Sequence, residues 1–173
     1  MDILFRSGQL DDVPTIVDLV ESAYRGEASR VGWTTEADLL GGQRTDAQEV
    51  TQIINDAESH VILAELKGRI IATVHLKCSQ KRCELGMLAV KPELQNQGIG
   101  RSILEQAERY AMEVWLCDSM QMAVIVHRHE LIAWYRRLGY QQNGEFRPFP
   151  YGDERYGLPK RSDLRFLMLA KRL

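Results

Sequence analysis

The sequence predicts a mixed α/β fold, because strand-like and helix-like periodicities follow each other in the order β-α-α-β-β-β-α-β-α-β-β. A length of 173 residues corresponds to one domain, since domains typically contain roughly 100–200 residues. Hydrophobic residues make up 45% and charged residues 27% of the chain, the balance of a globular protein with a sizeable core. We therefore expect one domain over residues 1–173.

Alternating apolar residues and turn signals define the strands, and apolar residues three or four apart define the helices. The predicted strands are Ile3–Ser7, His60–Leu66, Arg69–Lys77, Arg82–Val90, Gln121–Val126, Tyr140–Phe146 and Leu164–Leu169. The predicted helices begin at Asp11 or Asp12, at Thr45 or Asp46, near Gly98 and at Glu130, with a short helical stretch over Thr35–Leu40. The third helix is expected to bury Ile99, Ile103, Leu104, Ala107, Tyr110, Ala111 and Val114.

Composition and charge exclude several classes of protein. A formal net charge of −2 argues against a general nucleic-acid binder, and the apolar runs are far shorter than the about 20 residues that span a bilayer. Three cysteines, none in a CxxC pair, indicate a reducing compartment. The first residues lack the basic and apolar segments of a signal peptide. We expect a cytoplasmic protein without membrane or nucleic-acid partners.

The charges are unevenly distributed along the chain. Residues 1–60 carry 12 acidic and 4 basic side chains, whereas residues 61–173 carry 12 acidic and 18 basic ones. An anionic ligand bound by the second part would explain this excess of positive charge, and so would ordinary scatter over a solvated surface. Charge alone does not decide between the two interpretations.

The segment Leu88–Ala111 has the pattern of a phosphate-binding turn. A strand ends at Val90 and a helix begins near Gly98, where unpaired N–H groups and the helix dipole favour an anion. Gly98 and Gly100 keep side chains away from that backbone. Gln97 and Arg101 can add donors. A dinucleotide-binding GxGxxG motif and a Walker A loop are both excluded, since neither glycine spacing is present.

At this point the chain resembles the GNAT superfamily of N-acetyltransferases. Gln95-Asn96-Gln97-Gly98-Ile99-Gly100 is similar to the Q/R-x-x-G-x-G/A motif that this family uses for acetyl-CoA. Trp134-Tyr135-Arg136-Arg137-Leu138-Gly139-Tyr140 resembles the aromatic-Y-x-x-x-G-F ending of the family's next helix. The two motifs stand at the family's separation, and the order of elements agrees over nearly the whole chain.

The resemblance implies a mostly antiparallel, twisted central sheet that is splayed into a V-shaped cleft and flanked by helices. Acetyl-CoA would be the cosubstrate, lying between the strand that ends at Val90 and the strand Gln121–Val126. The residues implied in its binding are Leu88, Ala89, Val90, Gln95, Asn96, Gln97, Gly98, Ile99, Gly100, Arg101 and Arg128. Many members carry asparagine at the position of Arg128, which leaves open whether Arg128 or the adjacent His129 makes that contact.

The chemistry sets two demands: a base or a water path must take the proton of the ammonium, which is no nucleophile, and the departing thiolate benefits from a proton donor. The motif places Tyr135 where the family carries its general acid. Glu84 is the candidate base, since strand alternation puts Glu84, Gly86 and Leu88 on one face with Val90. His127 and His129 follow the next strand and are the alternative bases.

The acceptor is expected to be the primary amine of a small molecule or a protein, and a homodimer is considered as the assembly. The acceptor's binding site would be formed by the connection Gly32–Arg44, with Trp33, Glu36, Asp38 and Arg44, and by the late loop with Phe146, Phe149, Tyr151, Asp153, Glu154, Arg155 and Tyr156. Arg44 could bind a carboxylate, as in an amino acid acceptor, whereas the acidic residues could hold a polyamine or lysine, and the sequence does not decide between them. A non-catalytic acyl-CoA sensor of the same fold is the alternative function. The His127-x-His129 and Cys78-x4-Cys83 spacings do not form a four-ligand zinc set, so we expect no metal.

Overall fold

The computed structural model describes residues 2–173, which form nine strands and four α-helices. The strands are β1 (Ile3–Ser7), β2 (Leu40–Gly41), β3 (Ser59–Leu66), β4 (Arg69–Ser79), β5 (Arg82–Val90), β6 (Ser119–Ile125), β7 (Gln141–Pro148), β8 (Leu158–Pro159) and β9 (Arg165–Arg172). The helices are α1 (Val13–Tyr24), α2 (Ala47–Asn55), α3 (Ile99–Glu113) and α4 (His129–Arg137). Short 3-10 helices lie at Leu10–Asp12, Glu27–Val31, Pro92–Leu94 and Glu154–Tyr156.

Seven of the strands form one sheet in the order β1-β3-β4-β5-β6-β9-β7. Every neighbouring pair in it is antiparallel except β5 and β6, which are parallel and are connected through α3. The two-residue strands β2 and β8 pair separately and tie the connection after α1 to the late loop. This mostly antiparallel sheet with flanking helices confirms the predicted fold class.

The parallel pair β5 and β6 opens into a cleft. The strands pair only over residues 82–84 of β5 and 119–121 of β6, with Glu84 opposite Gln121. Beyond Glu84 they diverge, so that the edges of both strands face the space between them. The helices α3 and α4 begin shortly after these strands end, which places two helix N-termini beside the opening.

The helices cover both faces of the sheet. On one face, α1 buries Ile16, Leu19 and Val20 against β3–β5, a contribution of about 1.5–3 kcal/mol for each side chain. On the other face, α3 buries Ile103 and Leu104 in the larger core. The two layers fix the sheet rigidly on either side of the cleft.

A β-bulge at Met87 changes the face to which the side chains of β5 point. Met87 has a left-handed φ of +48°, and the register against β4 shifts by one residue between Thr73 and His75. Leu85 therefore belongs to the α3 face, whereas Met87 belongs to the α1 face, although the two are separated by an even number of residues. The expectation that Glu84, Gly86, Leu88 and Val90 share one face is wrong, because the extra residue reverses the alternation between Gly86 and Leu88.

Two other local expectations are corrected. Residues 37–39 form only a turn, and the short helix of this connection lies earlier, at Glu27–Val31. Val114 is 58% exposed because α3 ends at Glu113 and the chain then turns away from the core. The strand boundaries otherwise differ from the predicted ones by a few residues, as strand ends commonly do.

Candidate active site

The divergence of β5 and β6 leaves two cavities that meet inside the protein. The helix cavity, of about 460 Å³, ends at the N-terminus of α3. The strand cavity, of about 610 Å³, lies between the diverging strands and reaches α2. Both cavities are lined by Tyr24, Leu88, Leu131 and Tyr135, which we call the junction. Groups held in the two cavities can therefore approach each other beside these four side chains.

The turn after β5 presents an uncapped helix N-terminus to the helix cavity. Gly98 is the N-cap of α3 with a left-handed φ of +81°, and no side chain accepts from the first helical N–H groups. These groups lack intrahelical acceptors and carry the positive end of the helix dipole, which together favour phosphate oxygens. Asn96, Gly98, Gly100 and Arg101 all line the cavity, as the phosphate-binding prediction requires.

Gln95 acts as a structural clamp at the mouth of the helix cavity. Its Oε1 accepts from the N–H of Trp33 at 2.9 Å, and its Nε2 donates to Thr34 Oγ1 at 2.8 Å and to the Val90 carbonyl at 3.1 Å. The amide therefore joins the end of β5 to the connection after α1. With both ends of its side chain engaged, Gln95 holds the wall of the cavity and is not a free donor to phosphate.

The other predicted cofactor-binding residues are divided between the cavity and the core. Leu88 and Val90 line the helix cavity. Ala89 points to the α1 face and is 2% exposed, so only its backbone is available to a ligand. Ile99 is buried in the core and Gln97 is exposed to solvent, and neither side chain lines a cavity.

Tyr135 stands between the two cavities. The side chain is 4% exposed and packs edge-on against Trp134, with ring centroids 4.9 Å apart. Within residues 2–173, its hydroxyl has no hydrogen-bond partner, so the oxygen is available to a group in the cavities. Burial, with a smaller effect from Tyr24, raises the pKa of Tyr135 well above its usual range. The phenol therefore stays protonated at neutral pH, as a proton donor must.

Tyr24 is a junction residue that the sequence did not single out. It ends α1, and its hydroxyl donates a hydrogen bond to the carbonyl of Leu88 on the bulged part of β5. Burial raises the pKa of Tyr24, and the nearby charge of Arg128 opposes that effect. The ring also lies beside two guanidinium groups, with Arg128 at 5.4 Å and Arg44 at 5.9 Å from its centroid. Tyr24 thus links the junction to a cluster of charges.

That cluster is built around the buried carboxylate of Glu36. Arg25 and Arg128 both form ion pairs with it, Arg128 at 2.9 Å, and the side chains of all three are less than 10% exposed. Burial opposes ionisation of Glu36, but the charges of Arg128, Arg25 and Arg44 outweigh it and lower its pKa. Glu36 is therefore a carboxylate in the folded protein and anchors two arginines in the wall of the strand cavity.

Arg128 consequently lies apart from the other predicted cofactor-binding residues. Its guanidinium is held by Glu36 and by the carbonyl of Thr34, and it lines the strand cavity and not the helix cavity. Of the predicted acceptor-site residues, four line the strand cavity: Glu36, Arg44, Phe149 and Tyr156. Trp33 lines the helix cavity instead, and Asp38 pairs with Arg30 at the surface.

A second polar chain, partly buried, reaches the strand cavity through His75, a residue that no sequence motif marks. Asp56 Oδ2 accepts from the Ser59 hydroxyl at 3.0 Å, which uses its only hydrogen. Ser59 Oγ must then accept from His75 Nε2 at 3.1 Å. Nδ1 is therefore the unprotonated nitrogen, and it lies on the side of Gly86, the strand partner of His75. Burial, reinforced by the charge of Lys77, lowers the pKa of His75 to about 4.

The three residues predicted as bases are less well placed than His75 to accept a proton in the strand cavity. Glu84 lines the strand cavity at its closed end, where β5 still pairs with β6, and it forms an ion pair with Arg147 at 3.1 Å. His127 pairs with Asp163 at 3.2 Å, and His129 is exposed at the start of α4. Neither histidine lines one of the two cavities.

Two further searches of the described chain concern metals and membranes. Within residues 2–173, no three His, Cys, Asp or Glu side chains are arranged to hold a metal ion. In the same part of the chain, no helix combines the length and the apolar character needed to cross a bilayer. The three cysteines are free thiols, with Cys78 Sγ 3.3 Å from Cys117 Sγ.

A cavity that ends at a bare helix N-terminus and meets a second cavity at a buried tyrosine suits a protein that handles a phosphate-bearing ligand together with a second molecule. Residues 18–140 match the Acetyltransferase (GNAT) family, and the chain therefore belongs to this family. The match includes the α3 turn and Tyr135, and it ends at Tyr140, the last residue of the second motif.

Solved structures of N-acetyltransferases share this fold. The ribosomal-protein-S18-alanine N-acetyltransferase from Escherichia coli is 16% identical, with a TM-score of 0.73 over 98% of this chain and 93% of that one. The ribosomal-protein-alanine N-acetyltransferase from Brucella melitensis is 18% identical, with a TM-score of 0.73 over 98% and 99%. A spermidine N-acetyltransferase chimera from Vibrio cholerae and hSSAT is 16% identical, with a TM-score of 0.71 over 99% and 96%.

Proposed function

We propose that the protein transfers the acetyl group of acetyl-CoA to a primary amine by direct attack. The observation that carries the proposal is the meeting of the two cavities at Tyr135, with an uncapped helix N-terminus at the end of one of them. The helix cavity would take acetyl-CoA and the strand cavity the amine. The thioester and the nucleophile would then meet at the junction.

The donor would be held chiefly by backbone groups. Its pyrophosphate would bind the N–H groups at the start of α3, where Gly98 and Gly100 expose the backbone. The pantetheine would run along Leu88–Val90, the part of β5 that has separated from β6. The carbonyls of Leu88 and Val90 already accept from Tyr24 and Gln95, so each has one lone pair left for the ligand.

Tyr135 would act as the general acid. The amine nitrogen attacks the carbonyl carbon, the C–N bond forms, and the C–S bond breaks as the tetrahedral intermediate collapses. The departing sulfur takes the phenolic proton, and the proton that nitrogen loses on collapse restores the hydroxyl. Because burial raises the pKa of Tyr135, the phenol keeps its proton until negative charge develops on the departing sulfur.

The proton of the incoming ammonium needs a separate acceptor. Glu84 can serve through water, but it lies four residues before Leu88, or about 13 Å at about 3.3 Å per residue. His75 stands opposite Gly86 on the neighbouring strand, and Gly86 is only two residues, at most about 7 Å along β5, from Leu88. With Nδ1 unprotonated and Nε2 held by Ser59, His75 is the better placed of the two, and we assign it this role through one bridging water.

Release of CoA tests the proposal. Acetyl-CoA incubated with a panel of primary amines should yield free thiol in an amine-dependent reaction. The alternative function, a non-catalytic acyl-CoA sensor, predicts that acetyl-CoA binds while no amine of the panel releases CoA. Tyr135→Phe is the matched control, since it should bind acetyl-CoA and release CoA slowly.

A further inference from the structure

The wall of the strand cavity beside Tyr24 carries more positive than negative charge. Three guanidinium groups lie there, those of Arg25, Arg44 and Arg128, and the buried carboxylate among them is that of Glu36. Three positive charges against one negative charge leave an excess of two. If Glu49, which also lines the cavity, is counted with this wall, one positive charge is still in excess.

The other charged groups of the cavity are matched by partners. Lys77 pairs with Asp56 at 3.0 Å, and Glu84 pairs with Arg147 at 3.1 Å. Arg44 differs from them, because no carboxylate oxygen in the described part of the chain lies within 4.0 Å of its guanidinium. Within residues 2–173 the guanidinium forms no hydrogen bond, and it lies 5.9 Å from the centroid of the Tyr24 ring, while the backbone N–H of Arg44 donates to Glu21 Oε1 at 2.6 Å. Arg44 is therefore a half-buried cation available to a ligand.

The two buried arginines fix the position of this charge. Arg25 lies between Glu36 and the carbonyl of Tyr156, and its Nε has no hydrogen-bond partner among the described residues. Arg128 is anchored by Glu36 and Thr34 on the other side. A buried arginine pair that shares one carboxylate is under-neutralised, so a second anion nearby is stabilised. Arg25 and Arg128 cannot turn away to solvent, because their ion pairs with Glu36 hold them in place. An incoming anion can reach them from the cavity.

We infer that the acceptor amine carries an anionic group, of which a carboxylate is the simplest, bound by Arg44 with support from Arg128. The inference rests on the proposed function and specifies its acceptor. Arg44 and Arg128 both contact the ring of Tyr24, whose hydroxyl lies at the junction on Leu88. The anion site and the point of attack are thus one tyrosine ring apart. The favoured substrate class is an amino acid or another short aminocarboxylate.

The same wall disfavours a polyamine. A substrate with several ammonium groups would bring like charge to Arg44 and Arg128, which costs binding energy. The neighbour that acts on spermidine shares the fold at 16% identity, and its acceptor does not follow from that likeness. The positive charge of this cavity wall therefore favours an aminocarboxylate over a polyamine, whereas the fold alone allows both acceptor classes.

The test compares each amino acid with the amine that remains after its carboxylate is removed, for example L-lysine with cadaverine and L-phenylalanine with phenethylamine. We expect the amino acid of a pair to have the higher kcat/KM. Arg44→Gln should lower kcat/KM for the amino acid roughly 10- to 100-fold, mainly through KM, as loss of a charge-assisted hydrogen bond does. The decarboxylated amine should change less than about 2-fold, since it lacks the group that Arg44 binds.

Arg30→Gln is the matched control, because Arg30 belongs to the same connection but pairs with Glu27 and Asp38 at the surface. It should leave both kcat/KM values unchanged. If decarboxylated amines are equal or better substrates in every pair, or if Arg44→Gln affects both members alike, the inference is overturned while the proposed function stands.

If no amine releases CoA, the proposed function fails and binding decides the inference. Isothermal titration of the protein with L-lysine and with cadaverine should then show tighter binding of the amino acid, weakened in Arg44→Gln. Equal affinities would overturn the inference.

Discussion

The backbone N–H of Trp33 donates to Oε1 of Gln95 at 2.9 Å, which joins two segments that are 62 residues apart in the sequence. The bond ties the connection after α1 to the end of β5, and the Nε2 bonds of the same amide reinforce it. The wall that faces the α3 turn thus depends on a side chain whose motif position suggested direct contact with a ligand.

Gln95→Ala should therefore weaken both stability and cofactor binding. We expect a loss of about 1–3 kcal/mol in the free energy of unfolding, because partly buried partners of the amide lose their hydrogen bonds. The Kd for acetyl-CoA should rise with it. Chemical denaturation and isothermal titration measure the two effects. Gln97→Ala, at an exposed position of the same turn, should leave both values near wild type.

Gly98→Glu should abolish acetyl-CoA binding, because it puts a carboxylate where the phosphates must meet the helix N-terminus. Gly68→Glu is a close control: Gly68 has φ of +72° against +81° for Gly98, and a Cβ at either position meets nothing within 4 Å. Both variants therefore impose the same backbone strain, and only the first lies at the cavity. Equal binding by the two variants would contradict the assignment of the phosphate site.

Tyr135→Phe should lower kcat roughly 10²-fold, the usual contribution of a general acid, with little change in the Kd for acetyl-CoA. Stability should also change little, since the hydroxyl has no hydrogen-bond partner within residues 2–173 to lose. Turnover should become more sensitive to pH, because the thiolate must leave unprotonated. Tyr110→Phe, whose ring stacks on His60 away from the cleft, is the control for loss of a phenol. Wild-type turnover by Tyr135→Phe, with chemistry rate-limiting, would make Tyr135 a packing residue.

His75→Gln should lower kcat/KM roughly 10²-fold at neutral pH and make it rise more steeply with pH, because a variant without the base depends on amine that is already deprotonated. Ser59→Ala should have a smaller effect of the same kind, because it frees Nε2 and lets the ring change tautomer. His60→Gln serves as the control, since His60 packs against Tyr110 and Trp115 outside both cavities. If instead Glu84→Gln reproduces the defect and His75→Gln does not, the base is Glu84.

The low pKa of His75 also predicts a pH-dependent stability. Burial and Lys77 lower the pKa to about 4, whereas Asp56 partly opposes them and Arg44 adds to them. The unfolded chain binds a proton below about pH 6.5 that the folded chain excludes. The contribution of the neutral imidazole to the free energy of unfolding is therefore complete above about pH 6.5 and is lost as the pH falls toward 4. The loss is on the order of 2 kcal/mol between pH 6.5 and 5. Denaturation curves should show a shallower loss over this interval in His75→Gln than in wild type.

Local sequence patterns were enough to predict the α3 turn. Glycines at 98 and 100 after an apolar strand dictate an open helix N-terminus, and the structure has one there. The same reasoning failed at Met87, because a non-glycine residue with positive φ leaves no mark on the apolar pattern. Strand alternation was carried through the bulge, and Glu84 was placed on the wrong face relative to Leu88.

Local sequence patterns cannot predict the charge cluster around Glu36 or the hydrogen-bonded chain Asp56–Ser59–His75, for another reason. Arg128 and Glu36 are 92 residues apart, and only the fold brings them together. His75 sat in a predicted strand with no motif around it. Its significance depends on the register that puts it opposite Gly86 and on a serine 16 residues away. Tyr24 is a core residue of α1 whose hydroxyl also reaches β5, and no local pattern indicates that second contact.

The extra residue at Met87 divides β5 into two halves that border different cavities. Residues up to Gly86 belong to the strand cavity, and from Leu88 onward the same strand also borders the helix cavity. If donor and acceptor bind as proposed, substitutions in the first half would alter the acceptor site and leave the donor side of the strand unchanged. Deletion of Met87 would remove the bulge, so that the side chains of one half of β5 would point to the opposite face of the sheet. No point substitution can do this.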